Sequence, residues 1–252
     1  MISKKHLKFI QSLQLKKYRK QAQSFIVEGE KSVLELLQST IKTRTILATK
    51  QFLDHHLSLI EGKDIEWIQT SEKILNKTGT FLQNQSALAV AEIPEWPPLE
   101  PGTLTWLPVY DFLQDPGNLG TILRICDWFG LERIVLSNDS VDVYNPKVIQ
   151  ASMGSFTRVK VYHKDLRELF GRSDHALIGT VLDGEDIHDF QWPGRGIILF
   201  GNESRGISDE LLNRLDHKVS IPRYGAAESL NVSMATGIVF DNLMRTWRPR
   251  RS

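Results

Sequence analysis

The chain has 252 residues, of which 41% are hydrophobic and 24% are charged, as in ordinary globular proteins. No apolar run approaches the roughly 18 residues that cross a bilayer, and lysines interrupt the start of the chain where a secretory signal would need an apolar stretch. The single cysteine excludes an internal disulfide and a cysteine-based zinc site. The seven histidines show no metal-ligand spacing. We therefore expect a cytoplasmic protein with no membrane partner and no metal.

Charge is distributed unevenly along the chain. Residues 1–95 carry a net +4 and the remainder a net −3. The first 27 residues contain no acidic side chain and seven basic ones, which are Lys4, Lys5, Lys8, Lys16, Lys17, Arg19 and Lys20. A basic segment of this kind is typical of a surface that binds RNA or another polyanion. A solvated helix face explains it equally well from charge alone.

The first 95 residues mix helix and strand patterns. Leu7, Ile10 and Leu13 recur at helical spacing, with lysines on the other faces. The patterns that follow are a strand at 25–27, a helix at 30–37, and strands at 45–48 and 86–92. They predict a small α/β domain with no catalytic motif of its own.

A proline-rich segment marks the domain boundary. Four of the ten prolines are Pro94, Pro97, Pro98 and Pro101, and such a cluster is incompatible with a helix or a central strand. We predict a domain at 1–95, a linker at 96–102 and a second domain at 103–252.

The second domain alternates between short apolar strands and helices. Strands are predicted at 104–110, 133–136, 158–162, 176–181, 196–200 and 218–221. Helices are predicted at 119–129, 145–152, 165–170, 209–215 and from 231 to about 247. This alternation predicts an α/β fold, a parallel sheet with helices on both faces. Ligands of such sheets bind at the carboxyl ends of the strands.

Three loops at strand ends are rich in polar residues. In the first, at 115–120, we expect Asn118 to cap the following helix, and Arg124 to pair with Asp127 and pack on Trp128. The second, at 200–206, lacks the glycine fingerprints of nucleotide-binding loops. The third, at 221–233, places Ser229, Asn231 and Ser233 beside a helix start. Capping by Ser229 would explain only one of those three.

These three loops resemble the three sequence motifs of the SpoU (TrmH-like) family of RNA ribose 2′-O-methyltransferases, in the same order and at similar spacing. Residues 145–161 also resemble that family, and the first domain resembles the RNA-binding domain that many members carry. The resemblance implies a C-terminal deep trefoil knot that binds S-adenosylmethionine. It further implies a homodimer whose active sites are completed across the interface.

The resemblance also assigns roles to individual residues. The family's essential arginine falls on Arg124. The remaining polar positions of the catalytic site fall on Asn118, Glu203, Ser229 and Asn231. The cofactor-binding positions fall on Leu199, Phe200, Gly201, Ile221 and Leu230, with recognition largely by backbone groups of 201, 221 and 230. Arg223 departs from the apolar residue that the family usually has at its position.

Alternative functions stay open at this point. The front domain favours ribosomal RNA over transfer RNA as the substrate, by analogy with relatives. A non-catalytic RNA-binding or ribosome assembly protein would keep the fold, but it would be expected to lose some of the five polar site residues. A nucleotide-dependent dehydrogenase would need an early glycine fingerprint, which this sequence lacks.

Overall fold

The computed structural model describes residues 2–100, 105–171, 175–202 and 204–247. The chain forms two compact units. The first comprises Met1–Trp96 together with Asp142–Arg158, and the second comprises Pro97–Val141 and Val159–Ser252. Among the described residues, no helix has both the length and the apolarity needed to cross a membrane.

The first unit contains a mixed sheet with helices. Its elements up to residue 92 are α1 (Lys4–Ser12), α2 (Lys16–Ala22), β1 (Ser24–Glu28), α3 (Glu30–Leu37), β2 (Thr43–Ala48), α4 (Lys50–His56), β3 (Glu66–Gln69), α5 (Glu72–Thr78) and β4 (Ala87–Glu92). The strand order is β1-β4-β2-β3, with β2 and β3 parallel and the other pairs antiparallel. Ile10 and Leu13 belong to its buried core, as their helical spacing predicts.

Residues 142–158 belong to this first unit, although the sequence placed them in the second domain. They form α7 (Pro146–Ser152), and Val148 and Ile149 of this helix are buried. The ring of Phe25 on β1 lies 4.6 Å from the ring of Tyr144 and 6.0 Å from that of Phe156, measured between centroids. The segment joins the first unit because its apolar side chains pack on β1.

Arg19 is buried, so its predicted role in RNA binding is wrong in this structure. Only 2% of its surface is exposed. Its guanidinium donates to the carbonyl oxygens of Leu13 and Gln14, and its Nε and Nη2 atoms lie 3.0 and 2.6 Å from Oδ2 of Asp142. Four of its five N–H donors are thus used inside the protein, and its burial keeps the guanidinium away from an RNA phosphate.

The second unit is built on a parallel sheet, which confirms the predicted α/β fold class. Its elements are β5 (Trp106–Tyr110), α6 (Pro116–Trp128), β6 (Arg133–Ser137), β7 (Lys160–Lys164), α8 (Leu166–Gly171), β8 (Ala176–Asp186), β9 (Gly196–Phe200), α9 (Asp209–Leu212), β10 (His217–Ser220) and α10 (Val232–Thr246). The strand order is β10-β8-β9-β5-β6-β7, and every neighbouring pair is parallel. The trefoil knot stays a prediction.

The order of the strands reverses at β5. From β5 the chain proceeds to β6 and β7 on one side. It then crosses to β8 on the other side, fills the position next to β5 with β9, and ends at the edge with β10. Such a reversal opens a crevice at the carboxyl ends of the two central strands, where ligands of parallel sheets bind. The candidate site is therefore expected beyond Tyr110 and Phe200.

Between the units, residues 93–100 form neither helix nor strand, in keeping with their prolines. The last two positions of the predicted linker, 101 and 102, lie outside the described residues, as does the predicted strand start at 104.

Candidate functional site

Two loops meet at the carboxyl ends of β5 and β9. The backbone N–H of Asp111 donates to the carbonyl of Phe200 at 2.9 Å, which extends the pairing of the two strands by one residue. The carboxylate of Asp111 in turn accepts the backbone N–H of Ser208 at 3.0 Å, and the side-chain amide of Asn202 donates to the carbonyl of Phe112 at 2.9 Å. These bonds fix the segment that leads from β5 into the first predicted loop against the second predicted loop.

Gly201 is required by a close approach within the second loop. A Cβ at this position would lie 2.3 Å from the carbonyl carbon of Gly206 and 2.4 Å from the nitrogen of Ile207. Asn202 and Gly206 exchange two backbone hydrogen bonds of 2.9 Å that close this turn. The space beside Gly201 is filled by the chain's own backbone.

The helix α6 is capped by Asp115, and the expectation that Asn118 is its cap is wrong. Oδ1 of Asp115 accepts the backbone N–H of Asn118 at 2.8 Å. Pro116 occupies the first helical position, where its missing N–H is no loss. Asn118 therefore lies inside the first turn, and its side chain has a partner in another loop.

That partner is Asn231, from the third loop. Nδ2 of Asn231 donates to Oδ1 of Asn118 at 2.9 Å. Oδ1 of Asn231 accepts both the backbone N–H of Ser233, at 2.9 Å, and its hydroxyl, at 2.6 Å. Asn231 is thus the cap of α10, while Ser229 is exposed and does not cap this helix. The structure brings two predicted catalytic residues together through the two amides.

The third loop covers a long distance to make this contact. It leaves β10 at the edge of the sheet, and β8 and β9 separate that strand from the central β5. Three strand spacings amount to about 14 Å. Residues 223–230 are exposed along the way, so the loop lies over the carboxyl ends of the strands.

Arg124 projects from α6 into solvent. Its side chain is exposed and has no hydrogen-bond or ion-pair partner among the described residues, so the expected pairing with Asp127 does not occur. The expected packing on Trp128 is not seen either, and that ring is 84% exposed. Arg124 lies six residues beyond Asn118, so the two side chains point about 120° apart around the helix.

The five predicted cofactor-binding residues divide into buried and accessible ones. Leu199 and Phe200 are 1% exposed, and the ring of Phe200 stacks on that of Tyr110 with centroids 5.0 Å apart. Ile221 and Gly201 are half-buried, and Leu230 is exposed. The two buried residues can offer a ligand little beyond their backbone.

The floor beneath the site is apolar and uncharged. The hydroxyl of Tyr110 lies 3.3 Å from that of Thr236 on α10, and both residues are fully buried. Burial raises the pKa of Tyr110 well above its ordinary value, and burial also raises the pKa of the Cys126 thiol on α6. Both groups stay protonated at neutral pH, so neither serves as a base.

Several features of the site were not predicted from the sequence, and one predicted residue, Glu203, lies outside the described residues. Asp111, Phe112 and Asn202 join the loops, yet nothing in the sequence marked them, except that Asn202 follows the glycine at the strand end. Arg223 donates to the carbonyl of Ala227 within its own loop, at 3.2 Å. Within the described ranges, no group of histidine, cysteine and acidic residues is arranged to hold a metal ion.

Comparisons with known families agree with this architecture. The profile of the SpoU rRNA Methylase family matches residues 108–241. The profile of the MRM3-like substrate binding domain matches residues 4–89. The first match covers most of the second unit, including all three polar loops.

Similarity to individual proteins extends over nearly the whole chain. The 23S rRNA (guanosine(2553)-2′-O)-methyltransferase of Bacillus subtilis is 30% identical over 235 residues, which cover 92% of each chain. A protein of the TrmH family of RNA methyltransferases from Porphyromonas gingivalis has a solved structure that superposes with a TM-score of 0.84 at 34% identity, covering 97% of this chain and 99% of that one. The AdoMet-bound rRNA methyltransferase from Sinorhizobium meliloti gives 0.85 at 25%, with 97% and 96% covered.

The fold and the three loops define a SpoU-type methyltransferase, an S-adenosylmethionine-dependent enzyme on a parallel α/β sheet. The chain belongs to the SpoU rRNA methylase family. The resemblance recognised from the three loops is thereby confirmed, whereas the roles of the individual site residues remain proposals.

Proposed function

We propose that this protein transfers a methyl group from S-adenosylmethionine to the 2′-hydroxyl of a ribose in ribosomal RNA, and that it acts in the cytoplasm. The observation that carries the proposal is the hydrogen bond between Asn118 and Asn231, because it joins the first and third loops at the carboxyl end of the sheet. The substrate class follows the Bacillus subtilis relative, which by its name methylates 23S rRNA.

The accessible backbone of the third loop fits S-adenosylmethionine. Among the described residues, the main-chain amides of Ile221 and Leu230 donate no hydrogen bond. Backbone donors need partners when they are covered, so a ligand that receives them would satisfy these two amides on binding. Gly201, Ile221 and Leu230 would hold the cofactor, with Leu199 and Phe200 beneath it. Bound S-adenosylmethionine supplies a methyl group that is already activated as a sulfonium.

The protein's remaining tasks are to position the ribose and to manage the hydroxyl proton. We assign the second task to Arg124, whose guanidinium is exposed and free of partners in the described structure. A guanidinium has a pKa above about 12 and five N–H donors, so its natural role is to bind the RNA phosphate and to polarise the hydroxyl. Asn118, Asn231, Ser229 and Glu203 orient the ribose and the cofactor.

The first unit offers a surface for RNA. The six lysines of α1 and α2 are exposed, and Phe9 and Tyr18 are exposed among them. The ammonium group of Lys17 lies 5.9 Å from the centre of the Tyr18 ring. Cations interspersed with aromatic rings suit RNA, because lysines contact phosphates while rings stack on unpaired bases.

The functional form is a homodimer in this proposal. Large apolar side chains of the second unit are exposed, and they are Trp128, Leu182, Tyr224, Leu230 and Met234. Apolar side chains exposed in such numbers favour a second copy of the chain as their cover. Arg124 and Asn118 point in different directions around α6. This supports a site in which Arg124 of one protomer acts beside the cofactor bound to the other protomer.

Removing the guanidinium of Arg124 tests the proposal. The substrates are ribosomal RNA and bulk transfer RNA from source cells that lack the gene, with radiolabelled S-adenosylmethionine. We expect wild-type protein to label one ribose of the ribosomal RNA. Arg124→Ala lowers kcat/KM by about a hundredfold or more, because positioned proton handling contributes this much. Its affinity for S-adenosylmethionine, measured by calorimetry, stays within a few-fold.

The matched control is Arg195→Ala. Arg195 is also exposed, but it precedes β9 at the opposite end of the sheet, so its loss leaves turnover unchanged. If the Arg124→Ala variant kept full activity, Arg124 would have no role in methyl transfer. If only transfer RNA were labelled, the substrate would be transfer RNA and the proposal of ribosomal RNA would be wrong. Absence of both cofactor binding and labelling in wild-type protein would favour a non-catalytic assembly role.

A further inference from the structure

Phe112 has a backbone conformation that is unusual for a bulky residue. Its φ of 56° lies in the left-handed region, which favours glycine. Gln23 and Met153 share a positive φ, but each of these ends a helix, where left-handed residues are common. Phe112 ends no helix and lies between β5 and α6. Local strain of this kind persists only when the surroundings enforce it, and it concentrates at functional sites.

The surroundings hold Phe112 at three points. Its backbone N–H donates to Oγ of Ser137, at the end of β6, over 2.8 Å. Its carbonyl accepts from Nδ2 of Asn202, beyond β9, at 2.9 Å. The guanidinium carbon of Arg205 lies 5.4 Å from the centre of its ring. Both peptide groups and the side chain are thus fixed by residues at or just beyond the ends of the two strands that flank β5.

Asn202 is itself fixed in the orientation that this contact requires. Its Oδ1 accepts the backbone N–H groups of Ser204, at 2.9 Å, and Arg205, at 3.1 Å. The amide oxygen is therefore committed to the turn, and the NH₂ group is left to face Phe112. The same side chain shapes the second loop and holds the segment that leads into the first loop.

The conformation of Phe112 determines where α6 begins. The chain leaves β5 at Tyr110 and turns at Phe112, and three residues later Asp115 caps the helix. Asn118 lies in the first turn, in contact with Asn231, and Arg124 follows on the same helix. A different φ at Phe112 would start α6 in another direction and displace both side chains.

We propose that Phe112 is a positioning residue for methyl transfer. Held in the left-handed region by Ser137 and Asn202, it places Asn118 relative to the second loop and sets the direction of the helix that carries Arg124. The inference rests on the proposed function for its kinetic readout. The feature that acts is the backbone conformation of Phe112, and the aromatic ring is secondary.

A pair of substitutions separates the backbone from the ring. Phe112→Gly and Phe112→Val both remove the ring, but glycine adopts a positive φ freely whereas β-branched valine resists it. We expect the single-turnover rate at saturating RNA and S-adenosylmethionine to stay within about threefold of wild type for Phe112→Gly. The rate falls by about tenfold or more for Phe112→Val. Cofactor affinity stays within a few-fold for both variants.

A second variant acts on the clamp and leaves Phe112 unchanged. Asn202→Asp keeps the oxygen that accepts from Ser204 and Arg205 but loses the donor to the Phe112 carbonyl. We expect it to slow single turnover as Phe112→Val does, with a melting temperature close to that of wild type. This variant decides the question if Phe112→Val fails to fold.

Two results would overturn the inference: equal rates for the glycine and valine variants, or a wild-type rate for Asn202→Asp. A wild-type protein that methylates no RNA would instead refute the proposed function. The effect of Phe112 on the start of α6 would then be measured by amide hydrogen exchange at residues 115–119. Faster exchange in Phe112→Val than in Phe112→Gly would support it, and equal exchange would overturn it.

Discussion

The buried guanidinium of Arg19 makes four hydrogen bonds within the first unit. It is satisfied by two backbone carbonyls and by the carboxylate of Asp142, which is distant in sequence. A buried charge is tolerated only while its partners are present, because removal of one partner leaves the other uncompensated. The pair therefore ties the start of the chain to the segment around α7.

Substitution of Asp142 by alanine tests this tie. We expect a loss of about 2–3 kcal/mol in the free energy of unfolding, below the range for fully buried pairs, because the Asp142 side chain keeps 17% of its exposure. Urea unfolding followed by far-ultraviolet circular dichroism gives the value. Asp54→Ala, which breaks an exposed pair with Lys50, is the control and leaves the transition unchanged. An unchanged transition for Asp142→Ala would show that the pair contributes nothing.

Residue-scale predictions from sequence succeeded where a motif fixed the spacing and failed where burial decided. The ordered loops placed Asn118 and Asn231 in one site, and the structure joins them. Arg19 could not be told from its lysine neighbours, because charge alone does not report an acceptor 123 residues away. Phe112 carried no sequence signal, since its role depends on a dihedral angle.

At the scale of elements, α1 and α2 are the helices that carry the proposed RNA surface. Ile10 and Leu13 anchor them in the core, while the lysines remain in solvent. Truncation at the linker would be a poor test of their role. It would remove β1, the strand on which the buried side chains of α7 pack, and so expose those side chains.

Substitution of lysines in place avoids that damage. A triple variant, Lys8→Gln, Lys16→Gln and Lys17→Gln, should weaken RNA binding and lower the slope of log affinity against log salt by about one for each RNA phosphate that is no longer neutralised. Filter binding at several salt concentrations measures both. A triple variant at Lys31, Lys50 and Lys73 changes the charge equally outside these helices. Equal effects of the two triple variants would show a general charge effect and no dedicated surface.

The elements themselves were predictable to different degrees. The strand β9 could be located because it is a continuous buried apolar run, and the helix α3 because its buried side chains recur at helical spacing. The strand β3 was missed because three of its four residues are exposed, so it shows no buried apolar run. Strand β8 extends to Asp186, beyond its predicted end, since its second half pairs with β10 after a register shift.

At the scale of the whole molecule, the proposed dimer would account for exposed apolar side chains on α6 and α10. Trp128 and Met234 lie on these two helices, which pack against each other. A tryptophan that is 84% exposed is costly to keep in water, and a second copy of the chain would cover it.

The state of association can be measured directly. We expect sedimentation equilibrium to give twice the mass of the chain. Trp128→Arg combined with Met234→Arg should give the single mass and lose methyl transfer, because charges cannot be buried unpaired at an apolar interface. Leu82→Arg is the control, since Leu82 is 97% exposed in the first unit and should not affect association. A single mass for the wild-type protein would contradict the dimer.

The segment around α7 also constrains the order in which the protein can fold during its synthesis. Phe156 packs against Phe25 in the first unit, although about 130 residues separate them. A ribosome must therefore translate β5, α6 and β6 before the first unit can close its core. Until then the apolar surface of the first unit that α7 covers is exposed to solvent. Nascent chains with such exposed surface are bound by chaperones. The small amino-terminal unit, made first, is completed late.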